Sequence, residues 1–438
     1  MRTLLLLALI VLPLMAQSTP PMGWNSWDSY GLSVNEQEFK ANAGWMAQHL
    51  KRYGWEYAVV DEGWYLKNPE AKPGAFQFTL SSDGRYLPAA NRFPSSANQA
   101  GFKPLADSVH ALGLKFGIHI IRGIPKEAVA KRVKIADSQF MAAEAADRND
   151  TCPWNADNYG VRNTPAGQAY YDSIAKLYAG WGVDFVKIDC IAADPYKGDE
   201  IQMFSDALRR TGRPIVLSLS PGPAPLEKAA DLREYANMWR ISGDVWDHWQ
   251  QWPKQNWSQG LLGQFTLAAN WAQYVGGGHW PDADMLPLGH LGPRPGNGKE
   301  RESAFTPAEQ RTLMTLWAMF RSPLIMGGNL TRMDARTTTL LTNEEVIAVN
   351  QQSSNGRAVI NNGKQAVWVA KGRAAREVYV ALFNLSNQPQ TISYPVQSLG
   401  MSTSGAVRDL WERKDLGKKD LLKAALEPHA SILYRITP

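Results

Sequence analysis

The sequence predicts a (β/α)8 (TIM) barrel followed by a C-terminal antiparallel β-sandwich. Helical stretches alternate with short β-rich runs from about residue 22 to residue 345, a pattern typical of βα units around a parallel sheet. Eight β-rich runs can be marked, which is the number that closes a barrel. After residue 350 the helical pattern ceases and short strands take over. The 438 residues are enough for two domains, predicted at 17–350 and 351–438.

The eight predicted strands are short, and most of them end in a polar or aromatic side chain. They span 22–27, 57–62, 115–120, 184–189, 215–220, 238–242, a few residues before position 284, and 323–327. The carboxyl ends of barrel strands converge on one face, where active sites lie. The side chains expected on this face are Trp27, Asp61, Glu62, His119, Lys187, Asp189, Ser220, Arg240, Asp244 and Asp284.

For three helices the sequence predicts both the start and the end. Asn35 and Thr306 each have a glutamate three residues later, the partner residue of a capping box. Thr164 precedes a proline, which is favoured in the first turn of a helix. The predicted ranges, counted from the capping residue, are 35–54, 164–182 and 306–320.

Two segments depart from the βα pattern. The connection 122–163 is much longer than an ordinary βα loop, and its part 126–141 is predicted to be weakly helical. An insertion of this length on the active face would form a wall or lid. In the C-terminal segment, Asn362 and Gly363 between two apolar runs are a strong hairpin signal. The runs 378–385 and 431–436 indicate further strands of a small β-sandwich.

The N-terminus has the pattern of a secretory signal peptide at 1–16. Arg2 supplies the charge, 4–14 form a short apolar core, and Ala16 is a small residue near the predicted cleavage site. That core is too short to span a bilayer comfortably, and nothing later in the chain reads as a membrane span. The sequence therefore predicts a secreted or periplasmic protein. Under oxidising conditions Cys152 and Cys190 are expected to be bonded; the alternative is a reduced, buried Cys190.

Charge and aromatic content narrow the possible partners. The formal net charge is +5, and the basic residues are scattered among acidic ones without a basic block, which argues against nucleic acid as a partner. The chain contains 17 tryptophans, which is many for its length. Rigid aromatic faces grip the apolar side of sugar rings, although most of these tryptophans are expected in the core.

Two carboxyl groups at strand ends are candidates for catalysis. Lys187 and Asp189 lie two residues apart in one strand, so both point to the same face, and the lysine would keep Asp189 ionised as a nucleophile. An ordinary strand-end salt bridge is the alternative. Asp244 is the candidate acid and base, because the tryptophans near it in sequence would raise its pKa. A helix cap is the alternative role for Asp244.

These residues belong to a series of motifs that fall in order along the chain. The series comprises 22–27 (MGWNSW), 60–64 (VDEGW), 91–94 (NRFP), 113–118 (GLKFGI), 187–189 (KID), Arg240 with Asp244, and 282–286 (DADML). It resembles the motifs of glycoside hydrolase family 27, the family of melibiase-type α-galactosidases and α-N-acetylgalactosaminidases. The resemblance spans about residues 20 to 435.

The resemblance implies a (β/α)8 barrel with a β-sandwich, a carbohydrate substrate, no metal or other cofactor, and a retaining double displacement. By position, Asp189 would be the nucleophile and Asp244 the acid and base. Trp27 would stack on the sugar, Asp61 and Lys187 would bind hydroxyls, and Arg240 would reach the ring near C2. Cys152 and Cys190 resemble the disulfide that flanks the nucleophile strand, although Cys190 here follows Asp189 directly.

The first departure from the family pattern is Glu62, where the family usually has a second aspartate. The extra methylene pushes the carboxyl group toward the C6 group of galactose, so the pocket should favour β-L-arabinopyranose, which lacks C6. The alternative is that the backbone relaxes and galactose still binds. The leading prediction is a retaining α-galactosidase, with a β-L-arabinopyranosidase and, as a different class, a non-catalytic carbohydrate-binding protein as alternatives.

Other departures concern the wall of the site. His119 stands where the family commonly has tyrosine, and it is expected to be a hydrogen-bonded wall residue. Ser220 begins a Ser-Pro-Gly stretch that replaces the family residues in contact with the 2-substituent of the sugar. Trp154 or Asp157 of the insertion 122–163 could replace the missing contact to the 2-position of the sugar. His279, Asp282, Asp284 and His290 superficially suggest a metal site, but no ligand spacing matches one, and Asp284 is expected to contact sugar or support residues that do.

Overall fold

The computed structural model of the protein describes residues 18–251, 258–292, 299–401 and 404–438. The predicted signal peptide at 1–16 lies outside these ranges and stays a prediction. Within them, no helix is both long and apolar enough to cross a membrane. The described chain consists of an eight-stranded parallel barrel and an antiparallel C-terminal β-sandwich, so the predicted fold class is confirmed.

All eight predicted barrel strands are present. They are β1 (Met22–Asn25), β2 (Tyr57–Val60), β3 (Lys115–Ile121), β4 (Phe185–Asp189), β5 (Val216–Leu219), β6 (Met238–Arg240), β7 (Trp280–Asp282) and β8 (Leu324–Met326). The strands are hydrogen-bonded in the order β7-β6-β5-β4-β3-β2-β1-β8. The chain after β7 joins this sheet to β8, because the Leu286 amide donates to the Ile325 carbonyl at 2.8 Å and the Gly327 amide donates to the Leu286 carbonyl at 3.0 Å.

The helices cover the outside of this sheet and fill the connections. They are α1 (Trp27–Tyr30), α2 (Glu36–His49), α3 (Lys103–Ala111), α4 (Lys126–Ala130), α5 (Ala142–Ala145), α6 (Pro165–Trp181), α7 (Gly198–Arg210), α8 (Ala229–Tyr235), α9 (Leu261–Trp271), α10 (Pro307–Phe320), α11 (Ala335–Leu341) and α12 (Glu344–Gln352). The predicted capping boxes at Asn35 and Thr306 are confirmed. Helix α6 ends at Gly182, whose φ of +82° suits glycine.

The insertion 122–163 is less helical than its sequence predicts. Only α4 forms within 126–141, because Arg132 and Asp137 adopt φ values of +52° and +54° that no helix continues through. The rest of the insertion is built on a three-stranded antiparallel sheet of Ile124–Pro125, Asn158–Val161 and Ala146–Thr151, in that order. The insertion is therefore a small β-layer beside the barrel mouth.

The C-terminal strands form two packed sheets. They are β9 (Ser354–Asn361), β10 (Gln365–Lys371), β11 (Val378–Asn384), β12 (Gln390–Pro395), β13 (Gly405–Asp409), β14 (Lys414–Lys419), β15 (Leu421–Leu426) and β16 (Ser431–Thr437). One sheet has the order β9-β10-β11-β16-β13-β14 and the other pairs β12 with β15. The predicted hairpin is confirmed, since Gly363 lies between β9 and β10 with φ of +79°.

The sandwich packs on the barrel beside the segment that follows Asp244. The ring of His429, in the turn before β16, stacks on Trp249 with centroids 4.0 Å apart and planes 8° from parallel. His429 Nδ1 is also 2.7 Å from the Glu309 carboxylate at the start of α10. Phe265 of α9 meets Phe383 of β11 edge-on at 5.0 Å. The two domains thus share an interface that combines aromatic contacts with a histidine–glutamate pair.

Candidate active site

A cavity of about 510 Å³ opens at the carboxyl ends of the barrel strands. Nine of the ten side chains predicted for this face line it, namely Trp27, Asp61, Glu62, Lys187, Asp189, Ser220, Arg240, Asp244 and Asp284. The tenth, His119, is buried at 1% exposure behind Asp189. The convergence of strand ends therefore brought together side chains that are up to 257 positions apart in sequence, from Trp27 to Asp284.

Asp189 ends β4 with both carboxylate oxygens engaged. One accepts a hydrogen bond from the Cys190 amide at 2.6 Å, and the other lies 3.1 Å from His119 Nε2. Burial on its own would raise the pKa of Asp189, but the His119 hydrogen bond and the nearby charges outweigh burial and lower this pKa. Asp189 is therefore an ionised carboxylate held in one orientation.

The backbone after Asp189 is unusual and is tied down. Cys190 has φ of +64°, a left-handed conformation that costs a non-glycine residue free energy. The expected disulfide to Cys152 is present and anchors Cys190 to the insertion. In this conformation the Cys190 amide faces the Asp189 carboxylate.

Lys187 and Asp189 do not form the strand-end salt bridge that was the alternative interpretation, whereas the predicted effect of the lysine charge on Asp189 is present. Lys187 Nζ lies 3.0 Å from Asp61 Oδ2, and His119 is the hydrogen-bond partner of Asp189. Residues two apart in a strand are separated by roughly 6.6 Å along it, whereas the inward side chains of one barrel layer come from alternate strands such as β2 and β4. Lys187 acts on Asp189 only through its charge, which helps lower the pKa of Asp189.

Asp61 is a fixed, ionised acceptor at the end of β2. Its Oδ2 accepts from Asn25 Nδ2 at 2.6 Å as well as from Lys187, and its Oδ1 accepts from the Glu62 amide at 2.8 Å. Burial opposes ionisation, but the charges of Lys187 and His119 prevail and lower the pKa of Asp61. Asn25 was missed by the sequence reasoning, although it stands in the first motif.

Glu62 is the wall residue next to Asp61. Its Oε1 accepts a hydrogen bond from Asn155 Nδ2 of the insertion at 2.8 Å. Burial raises the pKa of Glu62 to about 7, with the neighbouring carboxylates of Asp189 and Asp61 adding to the effect. The insertion therefore reaches the cavity and fixes this side chain, a contact that the sequence did not reveal.

The pKa of Asp244 is shifted in the opposite direction to that of Asp189. Burial in the cavity wall, with Asp284 and Asp189 nearby, outweighs the attraction of Arg240 and raises the pKa of Asp244 to about 6. Its side chain keeps 43% exposure inside the cavity, the largest of the paired acids on this face, so it can meet a ligand while the walls limit contact with bulk water. Arg240 Nη2 lies 3.2 Å from Asp244 and 2.7 Å from Asp284.

Asp284 supports the Asp244 segment. Its Oδ2 accepts from the Val245 amide at 2.6 Å, and its backbone has φ of +87°.

The two histidines that superficially suggested a metal site do not meet at one centre. His279 bonds to the Ala236 carbonyl at 2.9 Å, and His290 contacts two glutamates outside the cavity. In the described ranges, no group of three or more His, Cys, Asp or Glu side chains could hold a metal ion.

The cavity also contains a carboxyl group that the sequence reasoning missed. Asp28 lines the cavity at 2% exposure, and within the described residues its Oδ2 has no hydrogen-bond partner. Burial, reinforced by Asp284, raises the pKa of Asp28 well above its ordinary value, which favours its neutral form. Asp28 lies in helix α1, and the sequence prediction considered only residues at the ends of strands.

Of the two insertion residues that the sequence offered as sugar contacts, Trp154 lines this cavity and Asp157 lines a different one.

Arg122 supports the end of β4 from behind. Its amide donates to the Asp189 carbonyl at 3.1 Å and its Nε to the Cys190 carbonyl at 2.8 Å. Its guanidinium also bonds Asp150 of the insertion at 2.7 Å and Glu200 of α7 at 2.6 Å. Arg122 therefore joins three elements around the strained turn.

We expect Arg122→Met to lower the free energy of unfolding by about 3 to 5 kcal/mol, because it leaves the buried Glu200 carboxylate without its cation. Urea denaturation followed by fluorescence measures this change. Lys103→Met is the matched control, because Lys103 and Asp107 form a pair with both side chains about half exposed and should contribute little. A stability loss no larger than that of the control would contradict the supporting role.

Two aspartates at a barrel mouth, one with a lowered and one with a raised pKa, match the pair of carboxyl groups that a glycoside hydrolase uses. The family model described as alpha galactosidase A matches residues 156–352, and that of the alpha galactosidase C-terminal beta sandwich domain matches residues 362–436. The chain belongs to glycoside hydrolase family 27, the melibiase family. The resemblance read from the motifs is thereby confirmed.

Two relatives, one of them represented by two crystal structures, show what the chain is similar to within that family. A β-L-arabinopyranosidase from Geobacillus stearothermophilus superimposes with a TM-score of 0.92 at 48% identity, covering 96% of this chain and 97% of that one. A variant of that enzyme in complex with arabinose superimposes with a TM-score of 0.91 at 47% identity, covering 96% and 98%. Alpha-galactosidase 2 from Arabidopsis thaliana is 30% identical over 432 residues, covering 96% of this chain and 89% of the relative.

Proposed function

We propose that this glycosidase removes terminal β-L-arabinopyranosyl residues with retention of configuration. The observation that carries this choice is the position of Glu62, which lines the cavity next to Asp61 and is fixed there by Asn155. The proposed reaction is a double displacement on a pyranose bound at the floor of the cavity, with its leaving group toward the mouth.

In the first step, the ionised Asp189 carboxylate attacks the anomeric carbon. The bond to the leaving-group oxygen breaks, and the protonated Asp244 transfers its proton to that oxygen. In the second step, the Asp244 carboxylate takes a proton from water, the water oxygen bonds to the anomeric carbon, and the ester to Asp189 breaks. The lowered pKa of Asp189 and the pKa of about 6 at Asp244 suit these two roles.

The other side chains hold the sugar. Asp61 is an ionised acceptor for ring hydroxyls, and Lys187 beside it is a donor at 3.0 Å from that carboxylate. Arg240 is placed between Asp244 and Asp284 and reaches the ring from the opposite wall. Trp27, half-buried at the cavity edge, offers an aromatic face for the apolar side of the ring.

Glu62 favours a sugar without a C6 group for a steric reason. A glutamate carries its carboxyl one methylene further into the cavity than the aspartate usual at this position. The hydrogen bond from Asn155 restrains the side chain from turning away, so a hydroxymethyl group would compete with the carboxyl for space. The Geobacillus β-L-arabinopyranosidase, at 48% identity, supports this choice.

The second candidate is an α-galactosidase, the leading prediction from the sequence. α-D-Galactose has the same ring configuration with C6 added, so the catalytic geometry would be unchanged. The curated relatives from Arabidopsis and rice, at 30% and 29% identity, are named alpha-galactosidases. The two candidates therefore differ only in how the cavity accommodates C6.

Relative rates on the two p-nitrophenyl glycosides test this proposal. The protein should have the higher kcat/KM on the β-L-arabinopyranoside. Glu62→Asp should shift the ratio of the two kcat/KM values toward the α-D-galactoside by about 10- to 100-fold, the effect of one methylene in a tight pocket. Glu62→Gln, which keeps the length, is the control and should keep the preference. An unchanged ratio in Glu62→Asp would show that the steric argument is wrong.

We also infer that the protein is exported. The charged and apolar pattern at 1–16 supports this, and so does the bonded pair Cys152 and Cys190, because disulfides persist in oxidising compartments.

A further inference from the structure

Trp154 is a tryptophan exposed at a functional cavity. Its exposed fraction is 55%, the highest among the exposed large hydrophobic side chains of the described ranges, and it is the one aromatic residue in that group. It also lines the cavity that holds Asp189 and Asp244. A single exposed hydrophobic residue is ordinary on a protein surface, so its exposure matters only together with its position and its attachment.

The backbone around Trp154 is held on both sides. Two residues earlier, Cys152 is bonded to Cys190, next to Asp189. One residue later, the Asn155 side chain donates to Glu62 at 2.8 Å and accepts from the Asp157 amide at 3.1 Å. The indole is therefore presented by a fixed segment and does not lie on a free loop tip. Preorganisation of this kind reduces the conformational entropy lost when a ligand binds.

The exposure of the lining residues separates a floor from a rim. Side chains that hold the sugar are deep: Asp61 is 2% exposed, and Arg240 and Asp284 are each 4% exposed. Asp244, which must reach the leaving-group oxygen, is 43% exposed, and Trp154 is more exposed still. In an exo-acting enzyme the bound terminal residue fills the floor, and the rest of the substrate leaves past the rim.

We propose that Trp154 forms a binding platform for the leaving group, and that this group is a second pyranose ring. The inference rests on the proposed retaining exo-glycosidase function. One face of a pyranose presents C–H groups that pack on an indole, while its hydroxyl groups stay in water at the rim. A small, non-cyclic leaving group makes no such contact. Trp154 is thus a specificity-determining residue for the part of the substrate that departs.

The test compares two substrates that share the terminal sugar and differ in the leaving group. One is a disaccharide of β-L-arabinopyranose or α-D-galactose linked to a hexopyranose, and the other is the corresponding glycosyl fluoride. Trp154→Ala should lower kcat/KM on the disaccharide about tenfold, mainly through KM, and leave the fluoride within about twofold. Trp154→Phe should restore part of the loss. Leu421→Ala, which removes a 41% exposed side chain in the sandwich, is the control and should change neither value.

The outcomes are distinguishable. A loss confined to the disaccharide supports the platform. Equal losses on both substrates would assign Trp154 to the terminal sugar or to the fold and overturn this inference alone. No loss on either substrate would overturn it as well. If the unsubstituted protein turns over neither substrate, the proposed function itself fails and the inference falls with it.

Discussion

Replacement of Asp189 by asparagine should reduce kcat by at least about 10⁴-fold on every glycoside, because an amide cannot form the covalent intermediate. The structure favours so large an effect, since both carboxylate oxygens are oriented by hydrogen bonds and the pKa of Asp189 is lowered. The asparagine keeps the size of the side chain, so the fold should persist. Turnover of the glycosyl fluoride, with thermal unfolding measured in parallel, separates chemistry from stability.

A second variant tests whether Asp189 is the nucleophile or only a binding group. Asp189→Ala leaves space behind the anomeric carbon, where added azide can attack while the bond to the leaving group breaks. The expected product is a glycosyl azide of inverted anomeric configuration, which NMR identifies. Asp107→Asn is the control for a carboxylate lost elsewhere, because Asp107 is 54% exposed and is not among the residues that line the cavity, so kcat should be unchanged. Full turnover by Asp189→Asn would refute the mechanism.

Replacement of Asp244 by asparagine should have an effect that depends on the leaving group. A sugar leaving group needs a proton, so kcat/KM on a disaccharide should fall by about 10²- to 10⁴-fold. A fluoride ion leaves without full protonation, so the first step on the glycosyl fluoride should be slowed much less, and the glycosyl-enzyme should accumulate because its hydrolysis lacks a base. Equal losses in the first step for both substrates would contradict an acid and base role.

The pH dependence gives an independent test of Asp244. Its pKa is raised to about 6, so the carboxyl group is protonated below pH 6, and activity on a disaccharide should fall as the pH rises through this value. Asp189, with a lowered pKa, should limit activity only in strongly acidic solution. Because the pKa of Glu62 is also raised, to about 7, the alkaline limb is assigned by its absence in Asp244→Asn and its persistence in Glu62→Gln.

Local signals in the sequence predicted most of the fold. Capping boxes at Asn35 and Thr306 marked helix starts that the structure reproduces, and the Asn-Gly pair marked the hairpin between β9 and β10. These features depend on neighbours within a few residues. The insertion was predicted less well, because its sheet depends on pairing between Ile124–Pro125, Ala146–Thr151 and Asn158–Val161, which no local pattern specifies.

In the candidate site, too, local features were predicted and long-range contacts were not. Strand-end polarity predicted nine of the cavity-lining residues because all barrel strands end on one face. It could not predict which of them touch: Lys187 meets Asp61 across an alternate strand, and Asn155 reaches Glu62 over 93 positions of sequence. Asn25 and Arg122 were missed for the same reason, since their importance lies in long-range hydrogen bonds.

The segment 152–155 has a consequence for how substrate preference can be exchanged among relatives. Within four consecutive residues it contains the cysteine bonded beside Asp189, the exposed Trp154 and the amide that restrains Glu62. Grafting Glu62 alone onto a related barrel would carry a longer side chain without its restraint. If Glu62 and Trp154 have the proposed roles, the transferable module for protein engineering is Glu62 together with this segment and both cysteines, and libraries that vary these positions jointly should find new preferences that single substitutions do not reach.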